Sequence, residues 1–365
     1  MSAQVTPPTG GVVRCVVSPN AARQAPASRN MQEAAVLFAR ELPKVLSLRF
    51  RFRCGPPVVP PLVLAQQWRG AIKRSLERMS PTTIGGLFAP EAAAACRTNP
   101  EDYASPRSRH NSNFVTPGFA LFVENSISDD ASLHSLYLTF FERASDCVPV
   151  VLQAIMMQQA VGLGERRLAF EMMQVEAFRP GLGWTSSPSL LSAADAAQWL
   201  CAAHCASSPA SAERDGATGL LAISLRSRTV LTRDGRSLTA IKDWPDIGDA
   251  AIRRATQIRS VWLPAAAAGA NAAEWEAACL CLQSSASRLR LLDSSVVVDR
   301  GQLSSGRQRT RYASAGVIGT TVWQAPPEVI AAWLPLLRFV ESAQLGQQTT
   351  VGMGRVAVLV RSATP

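Results

Sequence analysis

The sequence predicts an α+β fold in which one β-α-β-β-α-β unit is used twice in tandem. Three observations lead there. Val45–Arg53, Val-Leu-Ser-Leu-Arg-Phe-Arg-Phe-Arg, alternates apolar with polar or charged residues, the period-2 mark of a half-buried strand. The order of strand-like and helix-like stretches in residues 31–180 recurs in residues 218–365. Each half also runs from an apolar helix through glycines into a strand, Val151–Val175 by way of Gly162-Leu163-Gly164 and Trp333–Val360 by way of Gly346–Gly354.

Taken in order, residues 1–30 are rich in Pro, Ala, Ser and Gly, the composition of a poorly ordered segment. Met31–Leu42 reads as a short helix, and the strand Val45–Arg53 is ended by Pro56, Pro57, Pro60 and Pro61. Leu64–Met79 reads as a helix with Leu64, Trp68, Ile72 and Leu76 along one face, stopped by Pro81. Thr82–Asn113 has little periodicity and reads as loop. Strands at Phe119–Glu124 and Leu133–Glu142, a helix at Val148–Ala160 and a strand at Arg167–Phe178 complete a ferredoxin-like (RRM-like) unit over 31–180. Residues 181–217 hold an Ala-rich helical connector, Ala193–Ala206, and a Ser/Ala-rich linker. The second unit, 218–365, reads as a strand Gly219–Leu231, a turn at Asp234-Gly235 and helices at Ile247–Val261 and Ala272–Gln283. Strands at Arg288–Val298 and Tyr312–Trp323, a helix from Pro327 to Leu345 and a last strand Val356–Val360 follow, with a glycine-rich loop at 346–355.

Of the 365 residues 47% are apolar and 18% charged, which suits a buried core and excludes a disordered chain. No stretch approaches the ~20 consecutive apolar residues that span a bilayer. Met1–Gly11 lacks a basic segment followed by an apolar run, so a cytoplasmic chain with no membrane partner is expected. Lys and Arg total 37 against 27 Asp and Glu, a formal charge of +10 carried mostly by Arg. Guanidinium forks match phosphate oxygens, so this surplus favours a nucleic-acid partner. The eight cysteines show no C-x-x-C pair; Cys201 and Cys205, which cluster with His204 on one helical stretch, and Cys279 with Cys281 read as small buried hydrophobes in Ala-rich surroundings, and no metal and no cofactor is expected.

Three segments carry candidate chemistry. In Gly346–Arg355 the glycines Gly346, Gly352 and Gly354 permit positive φ and amides turned toward an anion, Gln348 and Thr349 add neutral donors, and Arg355 adds charge. A Walker loop would lead into a helix, whereas these glycines lead into a strand. In Gly306–Tyr312, Arg307, Arg309 and Arg311 alternate onto one face as a rail for phosphates, with Tyr312 as a ring for stacking. On the helix Leu64–Met79, Arg69 and Lys73, and Arg74 and Arg78, stand four residues apart beside the apolar face.

The order of these segments resembles the repeat-processing endoribonuclease family of CRISPR systems, within the RAMP superfamily. Arg69-Gly70 matches an Arg-Gly pair typical of that family's helix after the first strand, and Val230–Gly235 stands where a strand ends in an Arg-Asp-Gly run. Ser305–Gln308 through Gly316-Val317-Ile318-Gly319, Leu334–Arg338 and the terminal Gly346–Arg355 complete the match. The resemblance implies binding of CRISPR repeat RNA (crRNA) and its metal-independent cleavage. The 2′-hydroxyl would attack the scissile phosphate, leaving 5′-hydroxyl and 2′,3′-cyclic phosphate ends. It implies other subunits of a CRISPR effector complex as partners. The family draws its acid, base and charge-stabilising groups from His, Tyr and Lys or Arg of the first unit. Many relatives carry a histidine on the helix after the first strand, and Leu64–Met79 has none. His110 is the preferred acid or base here, with Tyr103 and Lys73 aligning the hydroxyl and stabilising charge. His134, at a strand start, reads as structural, and His204, on the connector helix, is a poor candidate. The alternative is a non-catalytic crRNA-binding subunit of a CRISPR ribonucleoprotein.

Overall fold

The computed structural model describes residues 27–55, 59–88, 117–125, 130, 132–179, 182–186, 196, 199–201, 218–263, 271–305 and 310–362, without side-chain detail at 27–29, 81, 84–86, 304–305 and 310–312. Strand β1 is Val45–Cys54, helix α2 Pro61–Met79, β2 Phe119–Asn125, β3 Leu133–Phe141, α4 Val148–Val161 and β4 Phe170–Arg179. A short β5, Gly183–Ser186, follows. The antiparallel sheet runs β2-β3-β1-β4-β5, and its first four strands have the ferredoxin-like order. Phe50 and Phe52 of β1 point inward, where Trp68 of α2 meets Phe52 and Phe170 edge-on at 5.3 and 4.8 Å.

The second unit repeats this plan. Its strands are β6 Gly219–Thr229, β9 Arg290–Ser294, β10 Val297–Ser305, β11 Thr310–Ala325 and β12 Val356–Ser362, with a small β7–β8 hairpin (Thr232–Arg233, Arg236–Ser237) turning at Asp234-Gly235. The sheet order is β10-β11-β6-β12, with β9 beside β11. Helices α5 (Pro245–Trp262), α6 (Ala272–Ser285) and α7 (Pro327–Ala343) belong to this unit. Trp244 meets Trp323 and Trp333 edge-on at 5.2 and 5.1 Å in its core.

Helix α1, Ala27–Glu41, leads into β1 yet packs on α6 and α7 of the second unit. Phe38 stacks edge-on with Trp275 at 4.8 Å, and Glu41 accepts hydrogen bonds from Asn271 Nδ2 (2.9 Å) and Arg259 Nη2 (3.3 Å). The outer face of the first sheet is covered at one end by the second unit, where Phe141 meets Phe339 at 6.3 Å. Among the described residues the other end is open.

The structure departs from the sequence reading at four places. Pro81–Phe88 forms a helix, α3, inside the stretch read as loop. Arg288–Val298 is not one strand: it breaks at Ser295-Val296, opposite Gly319, whose φ of +130° bulges β11 and brings it so close that a Cβ would lie 2.5 Å from Ser295 O. The strand read from Arg167 starts at Phe170, because Leu163 and Leu168 close a tight turn with two 2.8 Å backbone bonds. In the connector read as helical, Cys201 is extended, exchanging backbone bonds of 2.8 and 3.0 Å with Val45.

Candidate nucleic-acid interface

Alternation along β1 sends Arg49, Arg51 and Arg53 to the open outer face of the first sheet. The neighbouring strand β4 places Glu176 among them. Arg49 donates through Nε to Glu176 Oε2 (2.6 Å) and through Nη2 to Oε1 (2.8 Å), and Arg51 Nε donates to Oε2 at 3.0 Å. Burial works to raise the Glu176 carboxyl, but the hydrogen bonds and charge of Arg49, joined by Arg51, hold it below the ordinary range. Arg49 lies over the Trp184 ring at 4.8 Å, and Tyr137, opposite Arg49 on β3, donates to Glu124 Oε2 at 3.2 Å. Arg51 and Arg53 keep 50% and 48% of their side-chain exposure. A cleft of about 460 Å³ runs along this face, lined by the three arginines with Glu124, His134, Tyr137 and Gln174. Half-exposed guanidiniums beside aromatic rings on an open sheet can hold phosphates and stack bases.

The glycine-rich segment has the backbone the sequence predicts, with φ of +82° at Gly346, +88° at Gly352 and +81° at Gly354, and of +62° at Gln348. What it faces differs. Gly352 sits on α2, where a Cβ would be 2.7 Å from that of Ala65; Gly354 lies under the Leu345 carbonyl with no room for a Cβ; Gly346 lies against Val230 O. The amides of Gln347 and Gly354 donate to Val230 O (3.1 Å) and Arg228 O (3.0 Å), and that of Arg355 to Ser227 Oγ (2.9 Å). Met353 fills the inside, packed with Val230 and Leu303. The open anion cradle expected here is closed, because the second unit's own carbonyls take these amides and an apolar side chain takes the space.

The segment is wedged between the two units. Thr350 Oγ1 accepts from Arg69 Nε of α2 (3.1 Å), and Thr349 Oγ1 from Arg254 Nη2 of α5 (2.9 Å). Arg254 also donates twice to Ala343 O, at 3.2 and 3.0 Å, and lies 5.7 Å over Phe141; burial pushes its pKa down to about 10. Arg355 crosses to the first sheet, with its guanidinium over Phe122 (5.2 Å) and Tyr137 (5.3 Å). Burial lowers its pKa, while Glu124 and Tyr137 pull it back up.

No family model matches the chain, and no curated protein does. Solved structures do match. A Cas6 product complex aligns with a TM-score of 0.49 at 14% identity, over 87% of this chain and 100% of that one. Thermus thermophilus Cas6 gives 0.44 at 14% identity, over 87% and 99%, and an RAMP protein binding different RNA substrates gives 0.38 at 10%, over 86% and 99%. The structural match is to Cas6 and RAMP proteins, at low sequence identity.

The remaining predicted residues scatter. Arg69, besides holding Thr350, lies over Phe88 at 5.6 Å; Lys73 is part-exposed with Glu77 at 3.7 Å; Arg74 is exposed. Arg311 and Tyr312 lie on β11 opposite Ser304 and Leu303. Tyr103, His110, Arg307, Arg309, His204 and Cys205 lie outside the described residues. His134 borders the cleft, but its side chain is buried on the core side of the sheet, with Nδ1 hydrogen-bonded to Asn125 Oδ1 at 3.1 Å and its ring stacked on Phe52; burial lowers its pKa, and Asp130 opposes that. Burial also pushes the Cys54 and Cys147 thiols up to about 11. Among the described residues no three His, Cys, Asp or Glu side chains gather as metal ligands, and no helix is long and apolar enough to cross a membrane. The sequence reading took Arg49, Arg51 and Arg53 only as the polar half of a strand. Their i, i+2, i+4 spacing is the same signal it used for Arg307, Arg309 and Arg311.

Proposed function

We propose that the chain binds CRISPR repeat RNA and cleaves it at one position, by attack of the 2′-hydroxyl on the adjacent phosphate. The observation that supports this best is the arginine row of β1 on an open sheet face, walled by Tyr137 and Trp184 and joined from the second unit by Arg355. Arg51 and Arg53 hold backbone phosphates, and Arg69 and Arg74 on α2, with Arg307, Arg309 and Arg311 from their place in the sequence, are further candidate RNA contacts. The reading of the RNA as a CRISPR repeat rests on the order of Arg69-Gly70, Val230–Gly235, Gly316–Gly319 and Gly346–Arg355. Repeat-processing chemistry needs a proton donor and acceptor and a cation beside the phosphorane. His110 takes the proton-transfer role, with Tyr103 and Lys73 aligning the hydroxyl and stabilising charge. Other CRISPR effector subunits are the proposed protein partners.

A second reading is a crRNA-binding subunit that does not cut. The absence of histidine from α2 and the burial of His134 favour it. Incubating the chain with end-labelled repeat RNA in EDTA separates the two. One fixed cut with a 5′-hydroxyl product supports the nuclease; tight binding with intact RNA supports the subunit; no binding removes both.

A further inference from the structure

Arg228, on β6, is 7% exposed and belongs to neither the apolar core nor the cleft. Its Nε donates to Asp299 Oδ2 of β10 at 2.9 Å. The rest of the side chain lies in a niche that two glycines leave open. A Cβ on Gly301 would collide with its guanidinium, and one on Gly316 would stand 2.9 Å from its Cγ. These glycines lie on opposite strands of the β10–β11 hairpin. The outer half of that hairpin, Asp299–Ser305 with Thr310–Gly316, extends past β6, which pairs with β11 only from Val317 onward. It is a two-stranded arm, and it carries Arg300 and Arg311.

The main chain around Arg228 grips the glycine-rich segment. Arg228 O accepts from Gly354 N (3.0 Å), Ser227 Oγ from Arg355 N (2.9 Å), and Arg226 N donates to Arg355 O (2.7 Å). Leu303 of the arm packs on Met353 of the same segment. Arg228 Nη1 is buried with no partner among the described residues, so the Asp299 bond and the two glycines are what the described structure offers this guanidinium.

We infer that Arg228 is a positioning residue for RNA: it locks the β10–β11 arm to the glycine-rich segment, so that the arm and Arg355 meet one strand in a fixed register. The inference rests on the RNA-binding reading above. A two-stranded arm is marginally ordered alone. If its orientation is released, only a fraction of molecules is competent, and the apparent Kd rises by the inverse of that fraction while the interactions made in the bound state stay the same.

The test uses the full chain with Arg228→Met and Asp299→Asn, measured at temperatures where melting curves show each variant folded. Repeat-RNA affinity for Arg228→Met is expected to fall by about tenfold with an unchanged slope against salt concentration, and exchange at the amides of β10 should quicken. Asp299→Asn keeps the guanidinium in its niche and should show the same pattern more weakly, which keeps the test alive if Arg228→Met does not fold. A slope reduced by ~0.7 would mean a direct phosphate contact and overturn the inference, as would unchanged affinity in both variants. Failure of the wild-type chain to bind repeat RNA would instead remove the RNA reading on which it stands.

Discussion

The glycine-rich segment, whose Arg355 reaches over Tyr137, and the arginine face of β1 reverse the roles their sequences suggest. The segment has four positive-φ residues, Gly346, Gln348, Gly352 and Gly354, the marks of a backbone shaped for an anion, yet packing uses them. The β1 face has an ordinary strand alternation, yet it leaves two guanidiniums half exposed beside a cleft. Positive φ brings backbone close to something; it does not say whether that is a phosphate or Ala65. Alternation does say that three cations share a face, and a face not covered by a neighbour is available.

The comparison breaks hardest at Gly354. Alanine there would be strained at a φ of +81° and overlap the Leu345 carbonyl. Strain and overpacking together should cost about 3 kcal/mol, read as a lower urea midpoint. If Gly354→Ala keeps its midpoint and loses RNA affinity, the segment is a ligand cradle after all. On the other side, Glu176→Gln leaves Arg49 without its carboxylate. The expected loss is roughly 2 kcal/mol, below that of a fully enclosed pair because Arg51 is half exposed. The Glu176 carboxyl is held below its ordinary value of 4.5, so its stabilisation is complete above that pH and is lost as pH falls through the lowered value. The variant should therefore lose less stability than wild type on acidification below about pH 4.5, and it should bind RNA no more weakly, since the change frees Arg51. A weaker-binding variant would mean that Glu176 organises the face.

A smaller effect is expected for Arg51→Ala combined with Arg53→Ala. Both side chains are about half exposed, so unfolding should shift by no more than ~0.5 kcal/mol. Affinity for repeat RNA should fall by about tenfold, and the salt slope by ~0.7 for each phosphate no longer neutralised. An unchanged slope would take the RNA off this face.

Why some of this was legible is physical. Pro81, the alternation in β1 and the Asp234-Gly235 turn are local signals, and the element order follows from them. Helix α3 escaped because Pro81–Phe88 is eight residues with Gly85-Gly86 in its middle, too short and too glycine-rich for an apolar stripe. The break at Ser295-Val296 escaped because its cause, Gly319, lies across the sheet. The partner of α1 escaped because an apolar stripe shows that a helix has a buried side, not which unit covers it. In the same way Gly352 was readable as a tight approach, while Ala65, nearly three hundred residues earlier, was not readable as what it approaches.

The smallest effect tests the buried imidazole of His134, on the core side of the sheet beside Phe52. Burial holds the His134 imidazole below its ordinary 6.5, with the Asp130 carboxylate, which pairs loosely with Arg53 at 3.9 Å, pulling the other way. A histidine whose folded pKa is depressed adds stability that is complete above 6.5 and is lost as pH falls toward the lowered value. Wild type should thus soften slightly between pH 7 and 5.5, by under ~1 kcal/mol, in a window above that of Glu176. His134→Gln should be flat in that window, although less stable throughout. The glycine-rich segment contains no group that titrates there, so its packing adds nothing to this softening. With repeat RNA bound, phosphates held by Arg51 and Arg53 would favour the imidazolium and narrow the window. Unfolding measured at pH 5.5 and 7 with and without RNA checks this, and a window that RNA does not narrow would place the bound strand away from the β1 face.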